Sequence, residues 1–164
     1  MKEIIKEYSE NVSKFEIDNV FVKKASYECF VHPRLIDPAT MSVEIKEETA
    51  FFKIDDQGVL ICTIKRFLEG VSLEKDKQKK VLLRIEVEHL VQYTCENLKE
   101  INDIYLKVIS ETNAVYNSFP YYRQFVQETC NRLGIIHPLV LPLMKAYTLK
   151  YIVDKYFAPT ESKS

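Results

Sequence analysis

The chain has 164 residues, 46% hydrophobic and 29% charged, the size and makeup of one globular domain able to bury a core. Twenty-three basic and 24 acidic residues leave a formal net charge of -1, which excludes the broad cationic field that nucleic acid or an anionic lipid surface would need. No apolar run approaches the ~18 residues of a membrane span, and the charged start MKEIIKEYSENV has no long apolar core, so neither membrane insertion nor a signal peptide is expected and the cytoplasm is the default compartment.

Residues 1–14 read as an N-terminal arm or short helix, with Ile4, Ile5 and Tyr8 on one side. FEIDNVFVKKASYECF, residues 15–30, is rich in β-branched and aromatic side chains, and its apolar positions change parity between Ile17 and Val20. A bulge near Asn19 would account for that change. HPRLIDPAT, residues 32–40, carries two prolines and reads as a loop. Val43 and Ile45 then alternate with Glu44 and Lys46 in a second strand that runs through Phe51, Phe52 and Ile54 to the turn Asp55, Asp56, Gln57, Gly58.

The third strand, VLICTIKRFL at 59–68, is apolar on both faces at its start, as in a sheet interior. EGVSLEKDKQKK, residues 69–80, reads as a solvated hairpin tip. In the fourth strand Val81, Leu83, Ile85, Val87, Val91, Tyr93 and Cys95 alternate with Leu82, Arg84, Glu86, Glu88, Leu90, Gln92 and Thr94, which predicts one core face and one face in water.

Ile101, Ile104, Val108, Thr112 and Val115, continued by Phe119, Tyr122, Val126, Thr129 and Leu133, step by three and four, predicting a single helix over ~100–133 of up to about 50 Å. Pro120 removes a backbone donor and clashes with the carbonyl four residues earlier, so the helix should kink or start afresh there. Such a rod outruns a small sheet and leaves surface for a partner. IIHPLVLP is an extended apolar link broken by Pro138 and Pro142, and a last helix is expected at about 143–157 with apolar residues nearly all round. The ending APTESKS, 158–164, is a polar tail. Strands first and helices after predict an α+β fold: a four-stranded antiparallel sheet followed by a long, kinked helix and a shorter C-terminal helix on one face, in a single domain over 15–157.

Reaction chemistry is sparse. GxxxxGK[ST], GxGxxG, HExxH and GxSxG are all missing, and three glycines are too few for a phosphate-cradling loop. His32, His89 and His137 each stand apart from a second ligand type, so no metal is expected. Glu86 and Glu88 share the water-facing side of a strand and read as solvated rather than as a catalytic pair. The four cysteines, Cys29, Cys62, Cys95 and Cys130, lie within predicted strands or helices with no CxxC pair, and Cys130 sits in the apolar helical row, so all four read as free thiols. No catalytic residue and no cofactor emerge. What stands out is 10 tyrosines and nine phenylalanines without tryptophan. Phe119, Tyr121, Tyr122, Tyr147 and Tyr151 beside the Leu/Pro link would form an apolar groove able to accept many sequences.

FPYYRQ at 119–124 resembles the FPYARE helix motif of the SecB-type protein-export chaperones, matching at Phe119, Pro120, Tyr121 and Arg123. The first strand is similar to that family's FQIQRIYTKDISFE at Phe15, Ile17, Lys23, Ser26 and Glu28, and SVEIKEET at 42–49 resembles its EVKLDLDT. The resemblance spans residues 15 to about 157. It implies an ATP-independent holdase for unfolded or precursor polypeptides, assembled as a homotetrameric dimer of dimers with the long helices sandwiched between dimers.

On that reading clients contact Val43 and Ile45 by carry-over from the family's second strand. Leu139, Leu141, Leu143, Tyr147 and Tyr151 join them from the link and last helix, and Phe119 and Tyr122 from the long helix. Ile104, Val108, Val115 and Phe119 would supply the oligomer interface. Lys24 stands where the family places an acidic residue for docking the translocase motor SecA, although Glu28 is kept, and the tail lacks the family's metal-binding Cys and His. A SecB-like module dedicated to one partner, such as a labile antitoxin, is the alternative the sequence leaves open.

Overall fold

A computed structural model describes residues 2–73, 79–137 and 139–157. The chain runs α1 (Lys2–Val12), β1 (Phe15–Cys29), β2 (Ser42–Ile54), β3 (Val59–Leu73), β4 (Lys79–Cys95), α2 (Asp103–Val108), α3 (Ala114–Leu133) and α4 (Leu149–Tyr156). The strands form one antiparallel sheet in the order β1-β4-β3-β2, with α2, α3 and α4 following it, and the α+β architecture read from the sequence is the one observed. β3 is interior, as its two apolar faces required.

The register of β1 against β4 slips between Ile17 and Asn19, at the parity change seen in the sequence, and again between Val22 and Lys24. Each slip strands one residue and restores the apolar positions to a single face. The expected solvated tip at 69–80 is shorter than predicted: β3 continues to Leu73 and β4 begins at Lys79, so only residues 74–78 of that stretch lie outside the strands, and these fall outside the described residues. Charge alone did not end the strands, because an antiparallel pair can keep its ladder while both faces carry polar side chains. The tail 158–164 also lies outside the described residues.

Core residues come from alternate positions of β3 and β4. Leu60, Cys62 and Ile64 pack with Val91, Tyr93 and Leu106 in one cluster, and Leu68, Leu83 and Ile85 pack with Tyr122, Val126 and Cys130 in another. The thiols of Cys62 and Cys130 are pushed up to about 12 and about 11 by burial, as fits inert core cysteines. The opposite face is not simply wet. Lys23 with Glu88, Lys65 with Glu86 and Arg84 with Glu69 pair across neighbouring strands there, so part of that face is covered by ion pairs.

The long helical stretch begins at Asp103, where the Asn102 side chain accepts from the Ile104 amide at 3.0 Å, and ends at Gly134 in the left-handed conformation (φ 75°). It does not start afresh at Pro120, which lies inside α3. The departure from regular α-helix lies upstream instead, in a π turn at Ile109–Asn113 that joins α2 to α3. The C-terminal helix is also shorter than predicted. Residues 139–148 belong to no helix or strand, and α4 begins only where the Thr148 hydroxyl accepts from the Tyr151 amide at 3.2 Å. Pro138, one of the two prolines expected to break the link, is outside the described residues.

Gly58 ends the turn between β2 and β3 with φ 62°, and a Cβ there would sit 2.5 Å from the Cys95 carbonyl oxygen. Gly134 has a comparable φ but open space around it. Gly58→Ala is therefore expected to destabilise the fold by roughly 2–3 kcal/mol and Gly134→Ala by only about 1 kcal/mol, as measured by urea unfolding.

Candidate functional site

The sheet face that carries the helices is unevenly covered. α3 crosses β3 and β4, the π turn and α2 sit over β2, and β1 is left out, with Ile17, Val22 and Tyr27 of that face exposed. Along the free edge of β2, Val43 is half-buried and Ile45 is 40% exposed. Beside them runs the link, whose residues 139–148 belong to no helix or strand. Leu139 and Leu141 enter the core with Val140 turned out between them, and the alternation ends there: Leu143, two residues beyond Leu141, is 79% exposed.

Between the link and α3 lies a trough of about 430 Å³ lined by Tyr116, Phe119, Pro120, Arg123, Leu143 and Met144 with three amide side chains. A smaller hollow of about 180 Å³, bounded by Tyr8, Asn113, Tyr147 and Ile152, adjoins it and shares Tyr116 and Asn117 with it. At its far end Tyr147 and Tyr151 stack, ring centroids 5.1 Å apart and 19° between planes. A larger polar hollow of about 930 Å³ near Asp55, Asp56 and Glu96 is lined by none of the client-contact or interface residues expected from the sequence.

The floor beneath α3 is held by a buried guanidinium. Arg66 of β3 is fully covered and bonds Glu47 of β2 (2.7 Å), Ser118 Oγ (3.0 Å) and the Val115 carbonyl (2.8 Å), with the rings of Tyr122 and Phe119 at 5.2 and 5.7 Å. Burial pulls its pKa down and Glu47 opposes that. His89 of β4 lies edge-on to Tyr122, centroids 6.3 Å apart, and neither His89 nitrogen nor the Tyr122 hydroxyl has a hydrogen-bond partner. Burial first, and the charge of Arg66 second, bring His89 down to about 4, while burial raises the Tyr122 hydroxyl.

Among the sequence-predicted client contacts, Val43, Ile45, Leu143, Tyr147, Tyr151 and Phe119 retain surface along the trough and the β2 edge, whereas Tyr122, Leu139 and Leu141 are covered within the chain. Of the four positions expected at an oligomer interface, Ile104 and Phe119 are half-buried, but Val108 and Val115 lie in the protomer's own core and have no surface to give a sister subunit. The helical row that singled them out is the row facing the sheet. Glu28 and Lys24 are exposed on the opposite face of β1. Among the described residues no group of three or more His, Cys, Asp and Glu side chains is placed to hold a metal.

Arg66, His89 and Glu47 were missed by the sequence reading. Their parity gives the signal: Arg66 shares a face with Leu60, Cys62, Ile64 and Leu68, and His89 falls between Val87 and Val91.

A similar fold occurs in the Mycobacterium tuberculosis Rv1957 SecB-like chaperone, solved in complex with a ChAD peptide from the Rv1956 HigA1 antitoxin. The TM-score is 0.71 over 87% of this chain and 99% of that one, at 14% identity. The fold is that of a SecB-like chaperone. A protein of unknown function from Streptococcus agalactiae, 13% identical over 78% of this chain and 96% of its own, has a TM-score of 0.28, too low to support an argument. No protein-family model matches the sequence, and no curated protein matches it. Within the SecB-like fold, the trough lies along the outer side of α3 and is roofed on one side by the link.

Two outcomes are expected. His89 titrates near 4 when folded and about 6.5 when unfolded, so the unfolded chain takes up the proton first. Stability should be complete above about pH 6.5 and fall by up to roughly 3 kcal/mol as pH drops to 4, a slope that His89→Leu should flatten in urea titrations across that range. Glu47→Gln leaves the Arg66 guanidinium buried without a countercharge and should cost about 3 kcal/mol, whereas the Glu47→Gln, Arg66→Met double variant should cost less.

Proposed function

We propose that this protein is an ATP-independent chaperone that holds extended, non-native polypeptide segments along the trough between α3 and the link and over the β2 edge. The observation that carries this reading is the apolar surface the link leaves uncovered: Leu139 and Leu141 anchor it, while Val140 and Leu143 are held out in water, Leu143 in the trough with Tyr116 and Phe119. The apolar part of the trough, Tyr116, Phe119, Pro120, Leu143 and Met144, can take apolar side chains from many sequences, and burial of ~600 Å² of a client would supply roughly 15 kcal/mol before ordering costs cancel most of it. Binding without catalysis is part of this reading, and His89, Tyr122 and Arg66 are buried under α3 as elements of the scaffold. The peptide held by the SecB-like neighbour supports a polypeptide as the ligand class.

We extend the proposal to self-assembly, in a cytoplasmic dimer of dimers. β1 is an edge strand whose Ile17, Val22 and Tyr27 are uncovered on the helix side and whose Phe21 is uncovered on the other. Export clients handed to SecA belong to this proposal only through Glu28, which stands exposed on that strand near Lys24. A module devoted to a single partner is the competing reading, favoured by the antitoxin peptide bound to the neighbour.

The purified chain, without nucleotide, is expected to slow refolding of a destabilised client at stoichiometric excess, and Leu143→Asp should weaken that effect several-fold with little change in its own melting. Normal client refolding at chaperone excess would refute the holdase. Competition among unrelated unfolded clients separates the two readings, because a dedicated module should ignore most of them.

A further inference from the structure

The trough contains one charged side chain, Arg123, half-buried among Phe119, Pro120, Leu143 and Met144. Arg123 forms no ion pair, hydrogen bond or ring contact with any described residue. The acidic groups nearby are committed elsewhere: Glu128 to Gln124 and Arg132, Glu111 to Lys155 and Tyr156, and Glu47 to Arg66. Around it the balance of charge is reversed from that of the whole chain. Residues 114–157 carry Arg123, Arg132, Lys145, Lys150 and Lys155 against Glu128 and Asp154, and Lys145 and Lys150 also lack an acidic partner among the described residues.

We infer that the trough selects segments in which a large apolar side chain is flanked by a side-chain carboxylate, the apolar group entering between Phe119 and Leu143 and the carboxylate pairing with Arg123. This rests on the polypeptide-binding reading above and adds a sequence preference to it. A guanidinium offers two parallel donors to a carboxylate, and apolar walls raise the strength of such a pair above that of an exposed one. The carboxylate comes from a side chain rather than from a chain end. The second hollow continues the trough's lining along α3 past Tyr116 and Asn117, a course on which a bound chain passes Arg123 with an internal residue.

Fluorescence anisotropy on the full chain with short, amidated, labelled peptides tests the inference, the residue beside a central leucine being Glu, Gln or Lys. The Glu peptide should bind about tenfold more tightly than the Gln peptide and the Lys peptide more weakly still, with the preference shrinking as salt rises. Arg123→Gln should bring the Glu peptide to the affinity of the Gln peptide, and Arg123→Lys should keep part of the preference. The salt dependence of the unmutated protein tests the same pairing without a substitution.

Equal affinity for all three peptides would overturn the acidic preference and leave polypeptide binding standing. Binding of none would overturn both. A preference restored by a free C-terminal carboxylate but not by the internal Glu would overturn the passing-chain geometry. A change in oligomeric mass on Arg123→Glu, with no peptide discrimination, would make the trough a contact between copies and overturn the inference as well.

Discussion

The sheet and the long helix are joined by one buried cation. Arg66 sits at a position of β3 whose neighbours on the same face are all apolar, and it reaches β2 through Glu47 and α3 through Ser118 and the Val115 carbonyl. A guanidinium removed from water is tolerated only where its donors are matched, so the alignment of α3 over β3 is set by those acceptors as well as by packing. The FPYYRQ segment begins within one turn of Ser118 and supplies the Phe119 and Tyr122 rings against that cation. The part of α3 that resembles the chaperone family is therefore the part this cation holds.

From that alignment the surface follows. With α3 fixed over β3 and β4, β1 is left without helical cover on one side, and the outer stripe of α3 at Tyr116, Pro120 and Tyr121 is left without cover on the other. The link fills the remaining gap with Leu139 and Leu141 while keeping Val140 and Leu143 in water. Apolar surface is thus retained in the places where packing against the sheet could not consume it, which is the condition for binding chains that lack tertiary structure.

Much of this was legible in the sequence because it depends on periodicity. The alternation in the second and fourth strands, the parity change at Asn19 and the three-and-four steps of the long helix each determine a face, and the structure puts these features where the pattern did. The readings that failed involve competition between local and tertiary terms. The charged stretch after Leu68 stays paired because its partner strand continues opposite it, and residues 143–148 join no helix although Met144 and Tyr147 pack against the main core. The two valines assigned to an assembly surface illustrate a further limit. A helical row identifies which residues share a face but not whether that face meets its own sheet or another subunit, and the row containing Val108 and Val115 meets the sheet.

The burial of the link has an evolutionary corollary. Leu139 and Leu141 are fixed by the core they enter, while Val140 and Leu143 stand in water, so the two outward positions can drift among apolar and polar types at little expense to the scaffold. The spacing of the anchors is not free in the same way: one residue added or removed between Leu139 and Leu141 would turn an anchor out of the core, so this short segment should keep its length where its exposed composition changes.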